Sequence, residues 1–335
     1  MRNFTYFRPT TAEAAVGLLE NRWGNTELLA GGSDLHELQK DYIAQPTRLV
    51  SLSGINGFGT IQTDAANPPQ WMRIGAGAKI ADIAANADIR QRFAALSQAA
   101  AELGTPQIRN VGTLGGNLCQ RNRCWYFRDE HVQCLLKGGQ RCFAVDGENR
   151  YHAIFTQGHR CVIVHPSTLA PALIALGASA EILGPGGRRT LELAKFFRAP
   201  TDQTTREHTL ASNEVVMSVT IPIRGAASAS YEVKHKQSYD WPLAQAVVAF
   251  QNTGGKATGV RIVLGHVAST PYIAEAAAKA LEGRAVNDET VAAASRAAVE
   301  GAKPLSQNGH KLRQVQVAVK RALLIAAGQA RYWEV

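Results

Sequence analysis

The sequence has no apolar run of the eighteen or so residues that a membrane span needs. Its first residues, Met1-Arg-Asn-Phe-Thr-Tyr-Phe-Arg-Pro9, contain no apolar h-region. A membrane span and a cleaved leader are therefore not expected, and the chain reads as soluble and made in the cytoplasm. Aromatic residues are scarce, at 7%, and the 36 basic residues outnumber the 27 acidic ones without gathering into a stripe, so nothing indicates a nucleic-acid partner. The excess charge, +9, reads as a solvated basic surface, part of which is available to a buried anion. Low-complexity tracts are absent, and 335 residues of 45% hydrophobic composition suffice for two domains or three small ones.

The usual nucleotide fingerprints are missing too. Gly75-Ala76-Gly77-Ala78-Lys79-Ile80 follows a strand pattern, but Ile80 stands at the third glycine of the Rossmann motif. Gly184-Pro185-Gly186-Gly187-Arg188-Arg189-Thr190 lacks the Walker lysine and its spacing. Any dinucleotide bound here is held by a different fold.

Cysteine is rare but concentrated. All five, Cys119, Cys124, Cys134, Cys142 and Cys161, fall between positions 119 and 161. An odd count in a cytoplasmic product argues against structural disulfides and for a metal site, with small buried hydrophobes as the plainer alternative. Thiolates suit an iron–sulfur cluster; zinc remains a competitor, although neither a CxxC pair nor an HxxxH supports it.

Along the chain, Thr10-Thr11-Ala12-Glu13 reads as a capping box after an isolated first strand. Strands are expected at Glu27-Leu28-Leu29-Ala30, Arg48-Leu49-Val50-Ser51-Leu52 and Met72-Arg73-Ile74-Gly75-Ala76, with helices around 80–87 and 90–103. Residues 119–161 show no sustained period and read as a loop fixed by something other than a hydrophobic face. Beyond it come a strand at Cys161-Val162-Ile163-Val164, a helix at 169–176, and strands at 180–183 and 214–221. Arg224-Gly225-Ala226-Ala227 looks like a linker, followed by three strands (231–236, 244–250, 259–265) and three Ala-rich helices, an α+β order.

Two glycine pairs are candidates for a ligand site. Gly31-Gly32-Ser33-Asp34 lies between a strand and a helix, where Cβ-free residues admit a close ligand and N–H groups point at a phosphate. Thr113-Leu114-Gly115-Gly116-Asn117 offers the same chemistry about 80 residues on. Together they could clamp a pyrophosphate; singly each is most often only a turn.

These two segments, in the wider forms Leu29-Ala-Gly-Gly-Ser-Asp-Leu35 and Gln107-Ile-Arg-Asn-Val-Gly-Thr-Leu-Gly-Gly-Asn-Leu118, resemble the FAD pyrophosphate loops of xanthine oxidase-family flavoproteins. The likeness extends over nearly the whole chain, through His165-Pro166-Ser167, Val260-Arg-Ile-Val-Leu-Gly265, Pro271-Tyr272 and Pro304-Leu305-Ser306-Gln307-Asn308. It implies a two-subdomain FAD-binding domain of the vanillyl-alcohol oxidase/PCMH type over residues 1–226, then a smaller α+β domain over 227–335. Carried over by position, Ala30, Gly31, Gly32, Ser33, Asp34, Leu35, Thr113, Gly115, Gly116 and Asn117 would bind FAD. The family usually has Asp after His-Pro-Ser, near the adenosine part; Thr168 stands there instead and carries no charge. Tyr239, and Lys234 on the preceding strand, match positions close to the isoalloxazine ring.

Most of these flavoproteins lack a cysteine insert. Asn117-Leu-Cys-Gln-Arg-Asn-Arg-Cys-Trp-Tyr-Phe127 is similar to the subset that has one, the 4-hydroxybenzoyl-CoA reductase type and, more nearly, the periplasmic aldehyde oxidoreductase type. By that resemblance Cys124, Cys134, Cys142 and Cys161, separated by nine, seven and eighteen residues, ligate a [4Fe-4S] cluster. Cys119, directly after the second FAD loop, is the spare. The resemblance further implies a heterotrimer, in which a large molybdenum-cofactor subunit oxidises substrate and a small subunit with two [2Fe-2S] clusters relays electrons to FAD and on to an external acceptor. The complex could be exported if a partner carried a twin-arginine signal. The rival readings are a self-contained flavin oxidase or dehydrogenase, a flavoprotein subunit serving CoA-thioesters or purine and N-heterocyclic substrates, and a zinc-stabilised binding module.

Overall fold

The computed structural model describes residues 1–236 and 239–331. Short strands of β-branched and aliphatic residues assemble into three sheets. The first is parallel, in the order Thr5–Phe7, Arg48–Ser51, Thr26–Leu29. The first strand is therefore not isolated: Tyr6 registers with Leu49, a long-range partner that no local pattern announces. The second sheet is antiparallel, in the order Ile61–Thr63, Trp71–Gly75, Val215–Pro222, Ser179–Gly184, Gly187–Glu192. Its last strand occupies the Gly-rich stretch that fails the Walker test. Gly187 takes a φ of +100°, which turns the chain back as a hairpin.

The third sheet runs Tyr272–Ile273, Lys256–Gly265, Ala244–Thr253, Ala227–Val233, again antiparallel. Helices Glu275–Leu281, Asp288–Ala297 and His310–Ala326 follow, and the last crosses the two strands at one edge of this sheet. Strands followed by helices make this part α+β, as expected. Two large cores result. One gathers Met72, Ile74, Ile83, Leu96, Leu173 and Val219; the other gathers Val248, Ile262, Leu264, Val319 and Leu323.

Several local expectations need correction. Thr11, not Thr10, caps the first helix, accepting a bond from Ala14 N at 3.2 Å, because Thr11 is the residue left extended at the helix entry. The helix expected over 90–103 breaks at Phe93, which leaves helical geometry to bury its ring, giving Ala87–Arg92 and Ala94–Glu102. Residues 161–164 form no ladder: Ser269 Oγ donates to the Cys161 and Ile163 carbonyls, and the Val162 carbonyl takes Ala153 N.

The cysteine segment has a small core of its own, in which Leu38, Phe127, Leu135, Leu136 and Ile163 surround Cys134 and Cys161. These residues are too irregularly spaced to show a period. Polar pins add to it. Lys311, fully buried, donates to the Tyr151, His152 and His266 carbonyls, and Asn308 Nδ2 donates to those of His152 and Ala153.

Candidate functional site

The two glycine loops meet. A Cβ built on Gly31 would fall 2.2 Å from the Val111 carbonyl oxygen, just ahead of the second loop, so only glycine lets these backbones touch. Gly32 has φ +75°, and a Cβ there would strike the His36 ring. On Gly115 it would strike Ala76, at the end of the Trp71–Gly75 strand. These three glycines are therefore set by packing of the protein on itself, rather than by space a ligand needs. Gly116 differs: a Cβ there would meet Thr113 Oγ1 alone, and the residue otherwise faces open space.

Both loops line a single cavity of about 800 Å³, within the ~300–1,000 Å³ typical of cofactor sites. Ala30, Gly31, Gly32, Ser33, Asp34 and Leu35 stand on one wall, with Thr113, Gly115, Gly116, Asn117, Thr168 and Tyr239 elsewhere on the lining. The backbone amides of Gly31, Gly32, Ser33 and Asp34 have no protein acceptor among the described residues. Successive free N–H groups around a left-handed glycine form a nest suited to a phosphate. The second loop does not match the expectation of free amides. Leu114 N bonds Ala78 O, Gly115 N bonds Ala76 O, and Gly116 N bonds Thr113 Oγ1, which caps the short Leu114–Cys119 helix. What that loop offers is the Thr113 hydroxyl proton and the open side of Gly116.

Asn117 holds the next segment in place. Its Oδ1 accepts from Ser167 Oγ at 2.7 Å and from Leu169 N at 3.4 Å, which fixes the turn that carries Thr168. The Thr168 hydroxyl lies 3.3 Å from His266 Nε2. Tyr239, at φ +60°, is exposed, and Trp241 lies under the Arg123 guanidinium at 4.8 Å.

Two side chains serve other partners than their sequence positions suggested. Asp34 turns to the cysteine segment: Oδ1 accepts from Arg128 at 2.6 Å and forms an ion pair with Arg123 at 3.1 Å, and Oδ2 accepts from Arg121 N at 2.8 Å. It ties the first loop to residues 121–128. Lys234 does not line the cavity; its ammonium is held by Glu232 at 2.7 Å and Glu102 at 2.9 Å.

The interior contains charges that the sequence did not announce. Glu207, fully buried, pairs with Arg121 at 2.8 Å and accepts from Asn122 N and Nδ2. Burial pushes its acid up, but Arg121 and Asn122 outweigh that and hold it below the usual range. Arg206 lies over the Trp23 ring; burial, then the neighbouring Arg121, pushes it down to about 10. Glu232 lines the cavity, and burial drives it up to about 7 against the pull of Lys234. Its sequence neighbours give no hint of this, since one polar position on an alternating strand looks like any other.

Cys124, Cys134, Cys142 and Cys161 converge on one small pocket of about 10 Å³, room for roughly one water. Its other lining residues are Tyr126, Phe127, Leu135, Leu136, Phe143 and Ile163. All five cysteines are free thiols, and Cys119 lines the large cavity instead. Burial raises Cys124 to about 12, whereas a hydrogen bond from Cys161 lowers Cys142 to about 6. His152 Nε2 lies 3.2 Å from Cys124 Sγ. Among the described residues no three metal-binding side chains stand at single-ion spacing, and no helix is long and apolar enough to cross a membrane.

Known proteins share this architecture. Residues 2–224 match the family described as the FAD binding domain in molybdopterin dehydrogenase, and residues 229–324 match the CO dehydrogenase flavoprotein C-terminal domain. The aldehyde oxidoreductase FAD-binding subunit PaoB of Escherichia coli (strain K12) is 34% identical over 338 residues, covering 99% of each chain. The carbon monoxide dehydrogenase medium chain of Hydrogenophaga pseudoflava is 27% identical over 96% of each. A solved structure of that organism's carbon monoxide dehydrogenase, lacking the Mo-pyranopterin moiety, superimposes with a TM-score of 0.75 at 28% identity, over 98% of this chain and 99% of that one. With its paired glycine loops on one dinucleotide-sized cavity and these relatives along its full length, the chain belongs to the FAD-binding oxidoreductase subunits of the xanthine oxidase-family molybdenum hydroxylases.

Proposed function

We propose that the chain is the FAD- and [4Fe-4S]-carrying electron-transfer subunit of a heterotrimeric molybdenum hydroxylase acting on aldehydes. The aldehyde assignment rests on the full-length similarity to an aldehyde oxidoreductase subunit. The partners are a large molybdenum-cofactor subunit and a small subunit with two [2Fe-2S] clusters, and an external acceptor takes the electrons. Residues 1–226 form the FAD domain, and residues 227–335 the C-terminal domain. The complex works where it is made, or in the periplasm if a partner carries the export signal.

In this reading the free amides of Gly31, Gly32, Ser33 and Asp34, with the Thr113 hydroxyl and the open side of Gly116, hold the pyrophosphate. Ala30 and Leu35 pack beside it, Gly115 fixes the second loop, and Asn117 and Thr168 position the adjoining turn. Tyr239 covers the ring, and Lys234 acts through its pair with Glu232. Bound FAD supplies one- and two-electron exchange; the protein holds it and controls access.

The observation that carries the iron–sulfur part is the convergence of Cys124, Cys134, Cys142 and Cys161 on one pocket while Cys119 faces the other cavity. Four cysteine sulfurs form a soft donor set, with no carboxylate in the lining and the His152 imidazole outside it, beside Cys124. Zinc would draw the sulfurs to about 3.8 Å of one another, and zinc analysis beside the iron count separates the two. Serine replacement with iron and sulfide counts tests the assignment. Each of the four variants loses the cluster and Cys119→Ser keeps it; retention in Cys124→Ser would refute the ligand set.

A further inference from the structure

The cavity wall contains a carboxylate with no assigned task. Glu232 lies on the Ala227–Val233 strand, its side chain only 3% exposed. Lys234 approaches Oε2 to 2.7 Å and the Thr168 hydroxyl also leans on the carboxylate, yet neither oxygen has a hydrogen-bond partner of full geometry. The same ammonium also serves Glu102, so one positive charge is shared between two acids. A buried acceptor left without well-aligned donors is costly, and this one opens on the cavity that both glycine loops line. Phosphate offers it only repulsion. Its strand leads into the segment that brings Tyr239 and Trp241 to the same cavity, and these aromatics suit a planar ring.

We propose that Glu232 is a cofactor-positioning residue whose carboxylate accepts a hydrogen bond from a hydroxyl or ring N–H on the flavin half of FAD. The inference rests on the reading of this cavity as the FAD site. The ligand supplies a well-aligned donor that Lys234 and Thr168 do not, and Lys234 keeps the acid oriented. Burial favours the protonated acid in the absence of such a donor, consistent with a group whose partner comes with the ligand.

The test is equilibrium titration of the full chain, freed of flavin, with FAD and separately with ADP, which carries the pyrophosphate and adenosine but no flavin. Glu232→Ala weakens FAD binding by roughly tenfold or more, and leaves ADP binding within twofold. Glu232→Gln, which keeps an acceptor, recovers most of the FAD affinity. If Glu232→Ala unfolds the chain, the Glu232→Ala/Lys234→Met double variant removes the ion pair whole and is compared with Lys234→Met alone. Unchanged FAD affinity, or an equal loss for FAD and ADP, overturns the proposal. Failure of the unsubstituted chain to bind FAD would instead overturn the reading of the cavity.

Discussion

Asp34→Ala separates two roles that the sequence leaves superimposed on one residue. As a pyrophosphate-loop residue it would matter to the cofactor; in the structure its carboxylate is taken by three partners in the cysteine segment, Arg128, Arg123 and Arg121 N. The side chains of Asp34 and Arg128 are 17% and 9% exposed, and that of Arg123 is 22% exposed. Removing one partner of a fully buried pair costs ~3–5 kcal/mol, whereas an exposed pair is worth ~0–1. The intermediate burial here, with Glu37 left to hold Arg123 and Arg128, places Asp34→Ala at about 2–3 kcal/mol. At ~2 °C per kcal/mol for a chain of this size, melting falls by roughly 4–6 °C. The assay is thermal unfolding of the flavin-free chain, alongside FAD titration. Asp34→Asn, which keeps one acceptor oxygen and sets an NH2 in place of the other, should recover part of the loss. An unchanged melting temperature with a large loss of FAD affinity would refute this placement of Asp34.

Gly116→Val, whose side chain enters the cavity with only Thr113 nearby, lowers FAD affinity at least tenfold while the flavin-free chain melts within a few degrees of the parent; Gly31→Val and Gly115→Val, which strike backbone or Ala76, lower the melting point instead. Replacing Cys124, Cys134, Cys142 or Cys161 by Ser removes four irons and the low-temperature EPR signal. The segment's own small core and its ties to Lys311 and Asn308 should keep the rest of the chain folded, as proteolysis would report. Burial holds His165 down at about 4, and His208 and His266 at about 3. The unfolded imidazoles accept protons that the folded ones refuse, so this contribution is complete above about pH 6.5. It is lost as pH falls from there toward 3, at up to ~1.4 kcal/mol per unit per group. Urea melts between pH 7 and 4.5 check this, and flat stability across that range would contradict it.

What could be read from the sequence was local. The glycine pairs announce close backbone approach because only glycine tolerates it, and the confinement of cysteine to one segment needs no fold to be noticed. The α+β order of the second half follows from strand periods giving way to Ala-rich helical ones. What escaped was made by distant partners. Glu207 meets Asn122 across 85 positions, and the Asp34 carboxylate meets Arg128 across 94. The short helix Pro106–Val111 does have a local signal, Thr105 as cap followed by Pro106. The strand expected at 161–164 looked apolar enough, yet its carbonyls are spent on Ser269 and Ala153 rather than on a neighbouring strand.

The central claim, that one chain carries both a flavin and a cubane, is tested most directly by counting cofactors on the purified protein. The expected count is one FAD, released unmodified by acid, together with four irons and four sulfides per chain beyond those of any partner. Flavin at full occupancy with no iron, or a colourless protein containing zinc, would contradict it.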